Sequence, residues 1–299
     1  MSRSVCLFAY HDPSATLAPH TRHLLSQIAT CGFEIHIAVS SLSPEDHQGL
    51  ETLKTSFVSG PNPVKAELYP RKNEGLDFGS WQELLRNGYA TDADEILFAN
   101  DSVFGPLTPL SPIVSHMRAK NHAIWGMVRS EAINRHLQSW FLVMTRQALN
   151  HPAIQRVFNQ PFCDMSKPEI VLHGELGLGL AMEAAGMEMT ASWSGTRGLA
   201  RLLAVNPMHT DWRAVLRSGK APFIKTELLR DNPSGIASVS QWRENIPDPD
   251  FFNPDWIAEY LANHPPRAHY KKAGFRARLV QALASEDRVH ALPALLMGR

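Results

Sequence analysis

The sequence predicts an α/β protein: a mostly parallel sheet flanked by helices, followed by a helical extension at the C-terminal side. Three observations carry this. Residues 5–10 (VCLFAY) and 34–41 (EIHIAVSS) are apolar runs of strand length separated by a helical pattern over 17–31, the order of a right-handed strand–helix–strand crossover. Further strand-length apolar runs occur at 95–99, 123–128 and 140–144. Polar residues stand directly after several of these runs, where open α/β sheets bind their ligands.

Taken in order, the first run stops at His11-Asp12-Pro13, and Gly32 ends the first helix ahead of the second strand. The run at 95–99 leads straight into Asn100-Asp101-Ser102. Residues 82–86 read as helical, 175–185 as a helix closed by Gly186, and 187–193 as the strand behind it. Beyond about residue 207 the pattern loosens. The turn-forming stretch 246–254 (IPDPDFFNP) marks the expected boundary between a domain over 1–247 and a Pro-rich linker with a basic helical extension over 248–299.

Composition narrows the function. The chain has 299 residues, 44% apolar and 19% charged, which excludes disorder and collagen-like repetition. With 29 Lys and Arg against 29 Asp and Glu there is no broad positive field, so nucleic acid is not an expected partner. The three cysteines, Cys6, Cys31 and Cys163, form no C-x-x-C pair, which argues for a reducing, cytoplasmic address. The first apolar run is too short for a signal-peptide core, and no stretch reaches the ~18 residues of a membrane span.

Four segments can carry chemistry. In residues 71–81 (RKNEGLDFGSW) two glycines alternate with polar groups ahead of a helix, a place where backbone amides can meet anionic oxygens; a tight solvated loop fits as well. Asn100-Asp101-Ser102 puts a carboxylate at a strand end, suited to a divalent cation or to an Asx turn. Glu175, in a segment with Gly174, Gly177 and Gly179, is either a general base or favourable charge at a helix start. His136, Gln138 and Ser139 precede the run at 140–144 and either orient sugar hydroxyls or cap a strand. His11, His20 and His23 read as surface residues, and neither Ser194-Gly195 nor Ser234-Gly235 has the frame of a nucleophile elbow.

Together, R-x-N-x-G-x-D-F-G-x-W at 71–81, ILFANDSVFGP at 96–106, HLQSWFLV at 136–143, and PFIK at 222–225 with Leu229-Arg230 resemble the rhamnan synthesis protein F family, bacterial glycosyltransferases of rhamnose-containing surface polysaccharides. The resemblance runs from about residue 5 to 247. It implies a GT-A-like sheet with a D-x-D-type motif after a strand and a distal acid pair before a helix. Asn100-Asp101-Ser102 falls at the first and His173-Gly174-Glu175 at the second, each with a single acid where the pattern has two.

On this resemblance, Arg71, Asn73, Gly75, Asp77, Phe78 and Gly79 line the donor pocket with Asn100, Asp101 and Ser102. Asp101 binds the diphosphate through Mg2+ or Mn2+, with His209 as a further metal ligand. Glu175 is the catalytic base. Lys225 and Arg230, on a loop after Pro222, neutralise the leaving diphosphate, and His136, Gln138 and Ser139 meet the acceptor or sugar. The implied partners are a nucleotide diphosphate sugar and a glycan or lipid-linked glycan.

From Arg267 onward, seven basic residues (Arg267, Lys271, Lys272, Arg276, Arg278, Arg288, Arg299) face two acids, Glu286 and Asp287. Phe275, Leu279, Val280, Leu283 and Ala284 recur beside them at helical spacing, which suits either an amphipathic helix on an anionic membrane face or a helix packed on the core. The expected function is inverting transfer of rhamnose or another deoxyhexose to a growing polysaccharide. The competing class is a non-catalytic nucleotide-sugar or glycan-binding protein on a degenerate GT-A fold. A hydrolase would need paired carboxylates that no segment supplies.

Overall fold

The computed structural model describes residues 2–12, 16–43, 45–59, 63–195, 205–267 and 274–285. In chain order these form β1 (Ser4–Tyr10), α1 (Pro19–Thr30), β2 (Phe33–Val39), α2 (His47–Val58), β3 (Ala66–Pro70), α3 (Leu76–Arg86), β4 (Glu95–Asn100), β5 (Val103–Phe104), α4 (Ser111–Ala119), β6 (Ile124–Ser130), β7 (His136–Leu137) and β8 (Phe141–Thr145). There follow α5 (Arg146–Leu149), α6 (Pro152–Phe158), α7 (Lys167–Ile170), α8 (Leu176–Ala184), β9 (Thr190–Trp193), α9 (Pro207–Thr210), α10 (Trp212–Arg217), β10 (Ile224–Lys225), α11 (Thr226–Arg230), α12 (Asp255–Asn263) and α13 (Phe275–Ala284).

The chain divides into two compact units. The first comprises Met1–Asp101, Pro109–Arg129 and Asn134–Ser192. Its sheet runs β3-β2-β1-β4-β8-β6-β7, with β9 also pairing β6. Pairing is parallel from β3 through β4 and antiparallel across β4, β8 and β6, so the sheet is mixed and mostly parallel. Central β1 is covered on both faces, which is why its sequence is almost continuously apolar. α3 lies on β1 and β2 and buries Phe78 and Trp81 against Phe98, Phe158 and Phe162.

Several elements differ from the sequence reading. α2 and edge strand β3 were not anticipated, because β3 (AELYP) carries Glu67 and Pro70 and lacks a strand-like apolar pattern. α3 begins six residues before 82, after Gly75 in a left-handed conformation. His20 and His23 are buried on the inward side of α1 rather than exposed.

The second unit comprises Ser102–Thr108, Ser130–Ile133 and Trp193–Arg299. β5 pairs β10 antiparallel, and Phe104, Trp212, Ile224, Leu228, Phe252 and Ile257 share one core. The Pro-rich stretch expected as a boundary therefore lies within this unit, with Ile246 and Phe252 buried because their apolar side chains fill that core. Arg267, counted among the basic residues of the C-terminal segment, clamps α11: its backbone N–H donates to Asp231 Oδ1, and Nη2 donates to Asp231 Oδ2 at 2.7 Å and Glu227 Oε1 at 3.2 Å. These partners hold the buried Asp231 carboxyl below the usual carboxylate range against the opposing effect of burial. Arg267→Ala is expected to lower stability by about 1–3 kcal/mol, since Arg230 alone then faces a buried charge; denaturant unfolding checks this, and an unchanged midpoint contradicts it.

α13 forms where helical spacing predicted it, with Phe275, Val280 and Leu283 exposed. Lys271, Lys272, Glu286, Asp287, Arg288 and Arg299 lie outside the described residues. Among the described residues no helix is long and apolar enough to cross a membrane.

Candidate active site

The carboxyl ends of the parallel strands gather acids in the first unit. His11-Asp12 follows β1, Asp77 opens α3 after β3, and Asn100-Asp101 closes β4. The His11 backbone N–H donates to Asp101 Oδ2 at 2.9 Å, and Asn100 Nδ2 donates to Asp77 Oδ2 at 2.9 Å. The Asp101 carboxyl is pushed up to about 7, chiefly by burial and further by the charges of Asp12 and Asp77, while backbone N–H groups of His11 and Asp101 oppose the shift. Asp12 is the acid that sequence reasoning missed. It was read as the terminator of the first apolar run, yet its place right after a parallel strand was the available signal.

A second carboxylate is held in a built receptor. Both the backbone N–H and the hydroxyl of Ser139 donate to Glu175 Oε2 at 2.7 Å. Glu175 Oε1 faces His136 Nε2 at 3.4 Å, and His136 Nδ1 meets the Asn134 carbonyl at 2.8 Å. Gln138 is buried, and its Oε1 accepts from Trp140 Nε1 at 2.8 Å, so this side chain anchors the turn. The Asn100 backbone N–H donates to the Trp140 carbonyl at 3.3 Å. The strand end bearing Asp101 and the turn gripping Glu175 are thus joined directly, at one end of neighbouring strands β4 and β8.

Glu175 does not sit at a helix start. Residues Val171–Glu175 form a π-helical turn that runs without interruption from α7 into α8, so the helix-dipole role of this acid is replaced by contacts with Ser139 and His136. The neighbouring glycines are packing devices. A Cβ on Gly174 would lie 2.8 Å from the Phe78 ring, and one on Gly179 would lie 2.4 Å from the Arg135 carbonyl oxygen. Their absence lets the helix press close enough to deliver the carboxylate.

Residues 71–75 form a loop that leads into the first turn of α3, and several side chains of 71–79 serve its packing. Arg71 is buried, with Nε on Glu83 at 2.9 Å, Nη1 on Ser80 Oγ at 3.2 Å and Nη2 on the Glu74 carbonyl at 2.8 Å. Its guanidinium shapes the loop rather than presenting itself to an anion. Phe78 is in the core, not in a pocket, because it lies one helical turn from Trp81 on the inward face of α3. A Cβ on Gly79 would meet the Glu74 carbonyl oxygen at 2.5 Å, so this glycine serves close packing. Arg71 and Asn73 do line an open cleft of about 280 Å³, with Lys72, Glu74, Ser40, Ser41 and Ser43.

The remaining expected residues lie in the second unit. Lys225 is on β10, with Nζ 3.3 Å from Ser102 Oγ, and Arg230 is on α11, paired with Asp231 at 3.1 Å; neither is on a loop. His209 is buried with Nε2 3.7 Å from Glu227, and burial pushes its imidazole down to about 4. Among the described residues no three His, Cys, Asp or Glu side chains form a ready-made metal cage. The acids near Asp101 fit an ion held by one or two carboxylates, which Mg2+ accepts when phosphate oxygens and water complete its shell.

The family described as rhamnan synthesis protein F matches residues 35–248. The chain belongs to that family. The rhamnan synthesis protein F match takes in Asp77, Asp101, His136, Ser139 and Glu175 and leaves out His11 and Asp12. Membership makes the chain glycosyltransferase-like and places it in polysaccharide synthesis. Virulence protein VirA of Vibrio anguillarum is 24% identical over 226 residues, 65% of this chain and 72% of that protein. Among solved structures, one described as a nucleotide-diphospho-sugar transferase from Desulfovibrio desulfuricans G20 is 12% identical, with a TM-score of 0.39 over 87% of this chain and 99% of that one. The bifunctional glycosyltransferase WbbM is 10% identical, with a TM-score of 0.42 over 88% and 52%. These scores are too low to bear on the chemistry.

Proposed function

We propose that this chain transfers a deoxyhexose such as rhamnose from a nucleotide diphosphate to a hydroxyl of a growing polysaccharide, with inversion. The observation that carries the reading is the Glu175 carboxylate, oriented by two Ser139 donors at the same sheet end as Asp101. Glu175 takes the acceptor hydroxyl proton as that oxygen bonds to the anomeric carbon, and the carbon–oxygen bond to the diphosphate breaks on the opposite face. Asp101 would hold Mg2+ or Mn2+, and such an ion would supply charge neutralisation to the departing diphosphate. Asn73 and the serines at the end of β2 offer polar contacts to the donor in the cleft beside them.

The test is a thermal-shift screen over nucleotide diphosphate sugars with and without Mn2+, followed by mass spectrometry of a rhamnose oligosaccharide acceptor. A specific donor is expected to raise the melting temperature by mass action and to add one sugar to the acceptor. Stabilisation by a donor without any added sugar would favour the binding-protein class, and no response to any donor would reject both.

A further inference from the structure

We infer that α13 is a docking helix that lies along an anionic membrane surface. Its residue pattern suits either such a surface or the core, and the way the helix is seated favours the surface. At about 100° per residue, Phe275, Leu279, Val280 and Leu283 fall with Arg276 on one arc. On that arc Phe275, Arg276, Val280 and Leu283 are exposed and Leu279 is half-buried. The opposite arc carries Arg278, Gln281, Ala282, Ala284 and, just past the helix, Ser285; the two alanines and the serine are buried.

This is the reverse of a helix seated on a core in water, which turns its large apolar side chains inward. The inward arc has nothing apolar larger than alanine, and Arg278 Nε and Gln281 Oε1 are buried there without a hydrogen-bond partner. Packing on the domain therefore does not account for the phenylalanine, valine and leucines on the outer arc. An apolar phase on the outer side does.

Charge names the occupant. From Arg267 to Ser285 the sequence has five Lys and Arg and no Asp or Glu. Arg267 is taken up by Asp231 and Glu227, but in the sequence Lys271 and Lys272 lead into the helix, and Arg276 stands on its outward arc. A second copy of the chain would set these cations against their counterparts. A helix of ten residues, about 15 Å long, also offers well under the ~800 Å² per partner of a stable interface. A soluble acidic polymer would meet the cations and leave the apolar arc in water. An anionic bilayer meets both: its headgroup phosphates face the basic residues while Phe275, Val280 and Leu283 enter the boundary with the acyl chains. Ten residues are too few to span, so the helix lies in the plane of the surface.

Vesicle flotation of the full chain tests this by binding alone, so its result is independent of the transferase reading. In ~0.1 M salt the unaltered chain is expected to bind vesicles of phosphatidylcholine with about 30% phosphatidylglycerol at least ~10-fold better than phosphatidylcholine alone, and to lose that preference in ~0.5 M salt. Arg276→Glu is expected to weaken binding ~5-fold or more, and Phe275→Ser combined with Leu283→Ser at least ~10-fold. These side chains are exposed, so circular-dichroism melts should not change. Should the double variant melt early, Val280→Ser and the lipid comparison on the unaltered chain carry the test.

Equal flotation with both vesicle types, or with neither, would overturn the proposal. Weakened binding in Arg276→Glu with none in the serine variants would assign the segment to a soluble acidic polymer and overturn it too. So would a dimer seen by analytical ultracentrifugation without lipid that Leu283→Ser breaks.

Discussion

Glu175→Gln is expected to reduce sugar transfer at least ~100-fold while the protein folds normally. The amide is isosteric, and its carbonyl can still accept from the Ser139 N–H and hydroxyl, so the receptor keeps its shape. What disappears is the capacity to take up a proton. Product formation under single-turnover conditions, beside circular-dichroism melts, measures the two halves of this expectation. Retained transfer would remove Glu175 from the chemistry, and lost folding would make it a structural acid.

Asp101→Asn is expected to abolish transfer by a similar factor and at the same time to stabilise the protein above neutral pH. The folded carboxyl titrates near 7 instead of in the ordinary aspartate range. Between about pH 4 and 7 the folded chain therefore binds more protons at this site than the unfolded chain, and stability declines as pH rises through that window. A shift of this size corresponds to roughly 4 kcal/mol of charge penalty by pH 8, several degrees in melting temperature. Asparagine keeps an acceptor for the His11 N–H and carries no charge. Melts of both proteins at pH 5 and pH 8 should show a gap that opens with rising pH; equal curves at pH 8 would contradict the burial of an unneutralised acid.

The parallel half of the fold was legible because β1 and β4 are covered sheet strands that are almost continuously apolar, and β2 buries Phe33, Ile35, Ile37, Ala38 and Val39. β3 escaped because an edge strand tolerates Glu67 and Pro70, and α2 escaped because only Leu53 and Phe57 of its twelve residues are buried. At the site, Asp101, His136, Ser139 and Glu175 were all picked out by their positions next to apolar runs or glycines. Their partnership was not legible. His136 and Ser139 were read as sugar contacts, since nothing in the spacing 136, 139, 175 tells that a carboxylate from a distant helix docks on that turn. Phe78 misled for the opposite reason: a polar, glycine-bearing string resembles a ligand loop even when its aromatic points inward.

The wide turn at Val171–Glu175 is in effect one surplus residue threaded into a helix. Excising Leu172 would let α7 and α8 merge into a regular spiral, rotating everything on one side by about 100° relative to the other. The buried Ile170 of α7 and the Gly174 notch against Phe78 could then no longer both keep their packing. The acid held by Ser139 thus stands on a register shift within a continuous helical run, so its placement depends on the length of that turn as well as on its own side chain.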